Sequence, residues 1–297
     1  MIKNVQSAAL CSRLARALAP PRQHYRPLKV DGFAAGWLDD ARAARLASFR
    51  DVFVARDGAV RFVDEIDDEE RRSAAIDRVA RALAASGELT AWRDERYAVA
   101  PALGAAPWFL LERAAARYFG IHTYAAHVNG VVRDGTEILM WIARRSASKS
   151  IDPGMLDNLV GGGIASGRTV TETVVKEARE EAGIARPLAS LARAAGTVEM
   201  HRALPDGLQR ETIFVHDLWL PTRFSPAGED GEVVDYRLVG LDEAARLIAI
   251  DEGPDAVTAD ASLVILDFLI RHERIDPASE CYEALAALRH PPAHTAC

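Results

Sequence analysis

The segment that most constrains this chain is Gly161-Gly162-Gly163-Ile-Ala-Ser-Gly167, which runs almost directly into a helix-forming stretch ending at Gly183. Glycines at that density permit a tight loop and close approach of the backbone to a bound group. Thr169 or Thr171 can then cap a helix with Glu172 in its first turn, and the helix runs to Ala182 and stops at Gly183. On it, Glu177, Glu180 and Glu181 fall within an arc of about 100°. Three carboxylates spaced i, i+3, i+4 repel one another. Taken alone, an EAREEA run is more often a solvated helix face; the glycine run at fixed spacing ahead of it shifts the reading to a site. Carboxylate oxygens are hard ligands, suited to Mg²⁺, Mn²⁺ or Ca²⁺ rather than zinc, and Mg²⁺ commonly bridges protein carboxylates and substrate phosphates.

With those residues in place, the chain resembles the Nudix hydrolase family, whose signature reads G-x5-E-x7-R-E-U-x-E-E-x-G-U with U aliphatic. Gly162 takes the first position; Glu177, Ala178, Glu180, Glu181, Gly183 and Ile184 take theirs. Arg168 stands where the signature has Glu, and Lys176 where it has Arg. That pair normally holds the loop against the helix, so another brace is expected, with Glu172 to Lys176 one candidate. The resemblance extends through WRDERYAV (92–99), FLLERAAARYFGI (109–121), YAAHVNGVV, LMWIARRSASKSIDPGMLDNLVGGGI and LVILDFLIRHERI. These are similar to a Nudix subgroup that carries an N-terminal domain of unknown function, including the Nudix part of fungal thiamine pyrophosphokinase fusions and related plant proteins.

The resemblance implies a fold, a metal, a set of site residues and a substrate. The fold is α/β, a Nudix α/β/α sandwich with a mixed sheet, preceded by a smaller α+β domain. We expect the N-terminal domain at 1–120 and the Nudix domain at 121–290. Glu177, Glu180 and Glu181 would hold Mg²⁺ or Mn²⁺, with the carbonyl of Gly161 beside the metals and Gly162 at the substrate. A further acid is expected from GEDGEVVDY, which offers Glu229, Asp230, Glu232 and Asp235; Glu232 is favoured, against an equally weighted reading of a polar hairpin turn. The implied substrate is thiamine diphosphate or its oxidised forms, oxythiamine and oxothiamine diphosphate, cleaved to the monophosphate and phosphate. ADP-ribose or NADH hydrolysis and a non-catalytic sensor are the alternatives. An isopentenyl diphosphate isomerase would use a cysteine before the box, and no cysteine lies between Cys11 and Cys281.

Ahead of the box, IARRSASKS supplies Arg144, Arg145 and Lys149 as candidate phosphate ligands; strand alternation would send the two arginines to opposite faces. His127 and Asn129 share one strand face, where a satisfied structural hydrogen bond is favoured over a pocket role. Trp37, Trp92, Trp108, Trp141 and Trp219 are candidate platforms for a ring, each read first as core. The N-terminal domain can wall the pocket, since ligand sites favour domain interfaces.

Elsewhere we read helices over 6–18 (stopped by Pro20-Pro21), 41–49, 68–85, 109–121 and 262–272, a strand and turn at 28–38, and a hairpin over 52–63 around Asp57-Gly58. The domain boundary is placed near 118–124, and the last eight residues are expected to fray. The net charge of −7 lacks the basic footprint of a nucleic-acid binder, and no apolar run is long enough for a membrane helix. Three widely spaced cysteines fit a reducing compartment, and the start reads as a cytoplasmic N-terminal helix rather than a signal peptide. The expected partner is a small-molecule diphosphate, with a homodimer compatible.

Overall fold

The computed structural model describes residues 4–19 and 24–291. Helix α1 (Asn4–Ala17) comes first; Pro20 and Pro21, expected to stop it, lie outside the described residues, as do the last six residues of the expected frayed end. Next come β1 (Arg26–Val30), β2 (Phe33–Leu38), α2 (Asp40–Ala47), β3 (Phe53–Arg56), β4 (Ala59–Phe62) and α3 (Glu69–Ala85). The four strands form one sheet in the order β2-β1-β4-β3. The β3–β4 turn puts Asp57 and Gly58 at φ 51° and 70°, the left-handed pair that a two-residue hairpin requires.

The segment 109–121 is not a helix. It contains β6 (Phe109–Glu112), antiparallel to β5 (Arg96–Val99), then a single 3₁₀ turn at Arg113–Ala115. Phe109 and Leu111 are fully buried on one strand face. Pairing with β5 outweighs the helical propensity of the Leu, Glu and Ala that follow, a tertiary override of a weak local preference.

The second half is built on one sheet. Its strands are β7 (His122–Asp134), β8 (Glu137–Arg145), β9 (Leu156–Asn158), β10 (Val160–Gly163), β11 (Arg193–Leu204), β12 (Gly207–Leu220) and β13 (Val233–Gly240). The order is β11-β12-β7-β8-β13, with β10 added on β7 and β9 on β8. Only β12–β7 is parallel, so the sheet is mixed. Helices α4 (Val170–Ala182) and α5 (Arg186–Ala189) cover one face, where Val174, Ala178 and Ala182 meet Ala126, Val128 and Leu218. Helices α6 (Leu241–Leu247), α7 (Ala259–Arg271) and α8 (Tyr282–Leu288) cover the other, against Ala125, Val131, Met140 and Ile213. Alternation along β7 sends Ala125 to one layer and Ala126 to the other. The α/β/α sandwich with a smaller α+β domain ahead of it is thus the observed architecture.

The first helix does not belong with the residues that follow it. Leu10, Leu14 and Leu18 are buried in the core of the second sheet, beside α6, α7 and α8. Arg13 donates to the carbonyl of Val257 at 2.7 Å, and Arg16 pairs with Asp251 at 2.6 Å. The separate N-terminal core runs from Leu28 to Ile121. The apolar stripe of α1 thus finds its partners across the chain, away from that N-terminal core.

Candidate active site

Strand β10 and helix α4 build the site. Gly161, Gly162 and Gly163 are all in β10, opposite His127, Ala126 and Ala125 of β7; the tight turn falls instead at Gly167, with φ +79°. What the three glycines supply is clearance. A Cβ on Gly161 would lie 2.8 Å from His127 Cε1, on Gly162 2.5 Å from Glu177 Cγ, and on Gly163 2.1 Å from Tyr97 Oη. Each glycine thus admits a different side chain against the strand.

Thr169 caps α4 and exchanges hydrogen bonds with Glu172 in a reciprocal capping box, and Gly183 closes the helix at φ +63°. Glu172 is thereby engaged with Thr169, and the Glu172–Lys176 brace does not form. Lys176 instead stands between two box glutamates, 2.9 Å from Glu177 and 2.7 Å from Glu180. Arg168 is exposed.

Glu181 is buried at 5% exposure, and its Oε2 accepts the Gly161 N–H at 2.8 Å. Burial pushes its carboxyl up to about 8, with Asp157 and Glu177 adding to the rise, against the pull of Gly161 N–H and Lys149. Lys149 lies 3.9 Å from Glu181 Oε1 and forms an ion pair with Glu232. Burial holds its ammonium below the usual lysine range, with Glu181 opposing. The structure therefore brings Glu177, Glu181, Lys149, Glu232, Gly161 and Gly162 together, with Glu180 on the rim at 39% side-chain exposure. Of the other acids in the 228–236 segment, Glu229 pairs with Arg179, Asp230 caps the Glu232 N–H, and Asp235 faces Arg237.

The two arginines separate as strand alternation requires. Arg145 reaches Asp157 at 2.6 Å and lines a cavity of about 220 Å³ beside the box. Arg144 turns away to Asp255 at 2.7 Å and to the carbonyls of Gly154 and Pro254. It braces a loop and is not brought to the cavity, which corrects its expected place among the phosphate ligands.

The cavity lies between the two cores. The second domain lines it with Arg145, Lys149, Asp157, Gly161 and His127; the first adds Arg93, Tyr97, Arg113 and Arg117. Arg93 donates to Ser150 Oγ at 3.0 Å and stands 3.8 Å from Glu232. The domains are tied together here by the Ser166 N–H, which donates to the Arg96 carbonyl at 2.8 Å. Sequence reasoning passed over Arg93 and Tyr97, although both lie in the quoted WRDERYAV segment. No tryptophan lines the cavity; Tyr97 is the aromatic ring there.

The donor set fits a hard divalent cation. Glu181 is a buried carboxylate with two further carboxylates nearby and one partly compensating lysine, which is a site short of positive charge. Among the described residues no group of three or more His, Cys, Asp or Glu side chains already stands in ligating arrangement; Lys176 pairs with Glu177 and Glu180, and Lys149 with Glu232.

Comparison with known proteins agrees with this geometry. A family model described as the NUDIX domain matches residues 123–260, and one described as a domain of unknown function, DUF4743, matches residues 5–123. Nudix hydrolase 24, chloroplastic, of Arabidopsis thaliana is 39% identical over 259 residues, spanning 86% of this chain and 70% of that protein. Nudix hydrolase 20, chloroplastic, of the same plant is 37% identical over 265 residues, again 86% and 70%. An uncharacterized protein of Saccharomyces cerevisiae, YJR142W, is 34% identical over 231 residues, 72% of this chain and 66% of that one. The chain belongs to the Nudix hydrolase family, with a DUF4743 domain ahead of its Nudix domain, and is a pyrophosphohydrolase of that family.

Proposed function

We propose that the chain hydrolyses the phosphoanhydride of a small organic diphosphate with Mg²⁺ (or Mn²⁺), and that thiamine diphosphate or its oxidised forms are the substrates. The observation that carries the chemistry is Glu181, buried against the Gly161 N–H, with Glu177 beside Gly162 on the same helix face. Glu177, Glu180 and Glu181 would hold the metal, with the Gly161 backbone beside it. When bound, the metal neutralises developing charge on the phosphates and lowers the pKa of the attacking water. The protein's part is positioning: Arg145, Lys149 and Arg93 gather cationic charge around the cavity that the diphosphate enters. We assign Glu232, paired with Lys149 beside Glu181, as the acceptor of the proton from the attacking water. The thiamine reading is supported by the subgroup resemblance, and the cavity where both domains meet is the place for the organic group. A cytoplasmic location is part of the same reading.

The test is phosphate release with Mg²⁺ from thiamine, oxythiamine and oxothiamine diphosphates, and, with coupled phosphatase, from ADP-ribose and NADH. Each assay is paired with Glu181→Gln. Release from the thiamine compounds that vanishes in the variant is expected. Activity on ADP-ribose or NADH alone would reassign the substrate, and silence across the panel would overturn the catalytic reading.

A further inference from the structure

A buried hydrogen-bonded chain runs along the face of the second sheet that α7 covers and ends at the cavity. Arg271 on α7 donates to both oxygens of Asp217 at 2.6 and 3.0 Å. Asp217 Oδ1 accepts from Asn129 Nδ2 at 3.1 Å, and Asn129 Oδ1 accepts from Asn158 Nδ2 at 3.2 Å. Asn158 Oδ1 then lies 2.9 Å from His127 Nδ1. Asn129 and Asn158 are 0% and 2% exposed, and His127 6%.

The polarity of this chain is forced from one end. A carboxylate held by a guanidinium only accepts, so Asn129 must turn its NH₂ toward Asp217. Its oxygen then faces Asn158, which must present its own NH₂ there and its oxygen to the imidazole. Nδ1 must therefore carry a proton. In the neutral ring Nε2 is bare, an acceptor left to the cavity that His127 lines. The ring lies against Gly161, which leaves room for it because it lacks a Cβ.

Donors and acceptors both line the cavity around this nitrogen. Glu211 lines it too, already accepting from Thr123 Oγ1 at 3.0 Å and Gln209 Nε2 at 3.2 Å. The cations Arg93, Arg145 and Lys149 line the same cavity. We infer that His127 is a specificity-determining residue, locked as the Nδ1–H tautomer by the Asp217–Asn129–Asn158 chain. Its Nε2 accepts a hydrogen bond from an N–H or O–H on the organic part of the diphosphate substrate. A hydrogen bond to a buried acceptor discriminates by what is lost when the donor is missing.

The inference rests on the diphosphate reading in its ligand half only; the tautomer is independent of it. Long-range ¹H–¹⁵N NMR on the full chain should show His127 Nδ1 protonated and Nε2 of the unprotonated, pyridine type. An unprotonated Nδ1 would overturn the chain polarity, and a protonated Nε2 at neutral pH would overturn the acceptor. For the ligand half, His127→Asn keeps a donor at the Nδ1 position and removes the cavity acceptor, whereas His127→Gln keeps a polar group at the Nε2 position. Calorimetry with Mg²⁺ would compare the methylene-bridged analogue of thiamine diphosphate, whose aminopyrimidine N–H groups are donors, with methylenediphosphonate, which has no organic group. His127→Asn should weaken the thiamine analogue about tenfold and leave methylenediphosphonate within twofold, and His127→Gln should recover part of the loss. Equal weakening of both probes, no weakening of either, or a wild type that binds the thiamine analogue no better than the bare diphosphonate would overturn the assignment. Failure of the wild type to bind methylenediphosphonate at all would count instead against the diphosphate reading.

Discussion

Replacing Gly162 with alanine separates the catalytic reading of the glycine strand from a packing one. The new Cβ would lie 2.5 Å from Glu177 Cγ and 2.6 Å from its Cδ. Ordinary carbon–carbon contact is about 3.5 Å, so the Glu177 side chain must retreat by roughly 1 Å. What gives way is the end of a flexible side chain and not backbone, so the fold should survive. Overpacking costs about 1–3 kcal/mol, offset by about 0.4–1 kcal/mol because alanine has less freedom to lose on folding. A displacement of about 1 Å in a positioned group can cost about 100-fold in rate. Gly162→Ala should therefore keep the circular-dichroism spectrum and a cooperative melt while kcat/KM falls by about two orders of magnitude. Glu177→Gln should match it in rate without the steric cost. Full activity in Gly162→Ala would refute the placement of Glu177 at the reacting phosphates. Collapse of the fold would show that the glycine serves packing. Gly163→Ala is the contrast: its Cβ meets Tyr97 Oη at 2.1 Å, so it should strike the contact between domains and lower the melting temperature first.

Two further outcomes follow from burial. His122 sits beside Thr212, and burial, with Arg210 adding, lowers its pKa to about 4. The unfolded imidazole titrates near 6.5, so the stability present above that pH drains away as pH falls toward 4, by about 2 kcal/mol at pH 5; urea melts should show this slope, and His122→Gln should flatten it. Leu10→Ala should cost about 2–5 kcal/mol, because Leu10 is buried in the core of the second sheet; a loss below about 0.5 kcal/mol would mean that α1 is not part of that core.

The parts of the structure legible in the sequence are those where local chemistry decides. The hairpin at Asp57-Gly58, the cap at Thr169 and the stop at Gly183 each depend on residues within a few positions of themselves. The helix over 69–85 carries its own N-cap in Asp68 and its own apolar stripe. What the sequence did not disclose depended on partners far along the chain. The segment at 109–112 is a strand because β5 lies beside it, and α1 is a Nudix-core helix because α6, α7 and α8 offer it a surface. The three glycines signalled closeness of some group to the backbone, which is right, but read locally they suggested a loop around a ligand. Their neighbours are His127, Glu177 and Tyr97, from three elements, and no local pattern names a residue that distant.

That division explains the form of the site. Gly161 admits the end of a polar chain from the opposite helix layer, Gly162 the metal-box carboxylate, and Gly163 a tyrosine from the N-terminal domain. One short strand is thus the meeting point of three otherwise separate parts of the molecule. Arg93 makes the same connection from the other side, reaching Ser150 and approaching Glu232 from the first domain. These three positions have no room for a side chain of their own, since each added methyl would displace a different partner. The tolerance of the three positions should then differ in kind: loss at 161 appears in ligand discrimination, at 162 in turnover and at 163 in the coupling of the domains. Alanine variants that all failed in the same way would mean that β10 acts only as a packed edge and that the three contacts are incidental to it.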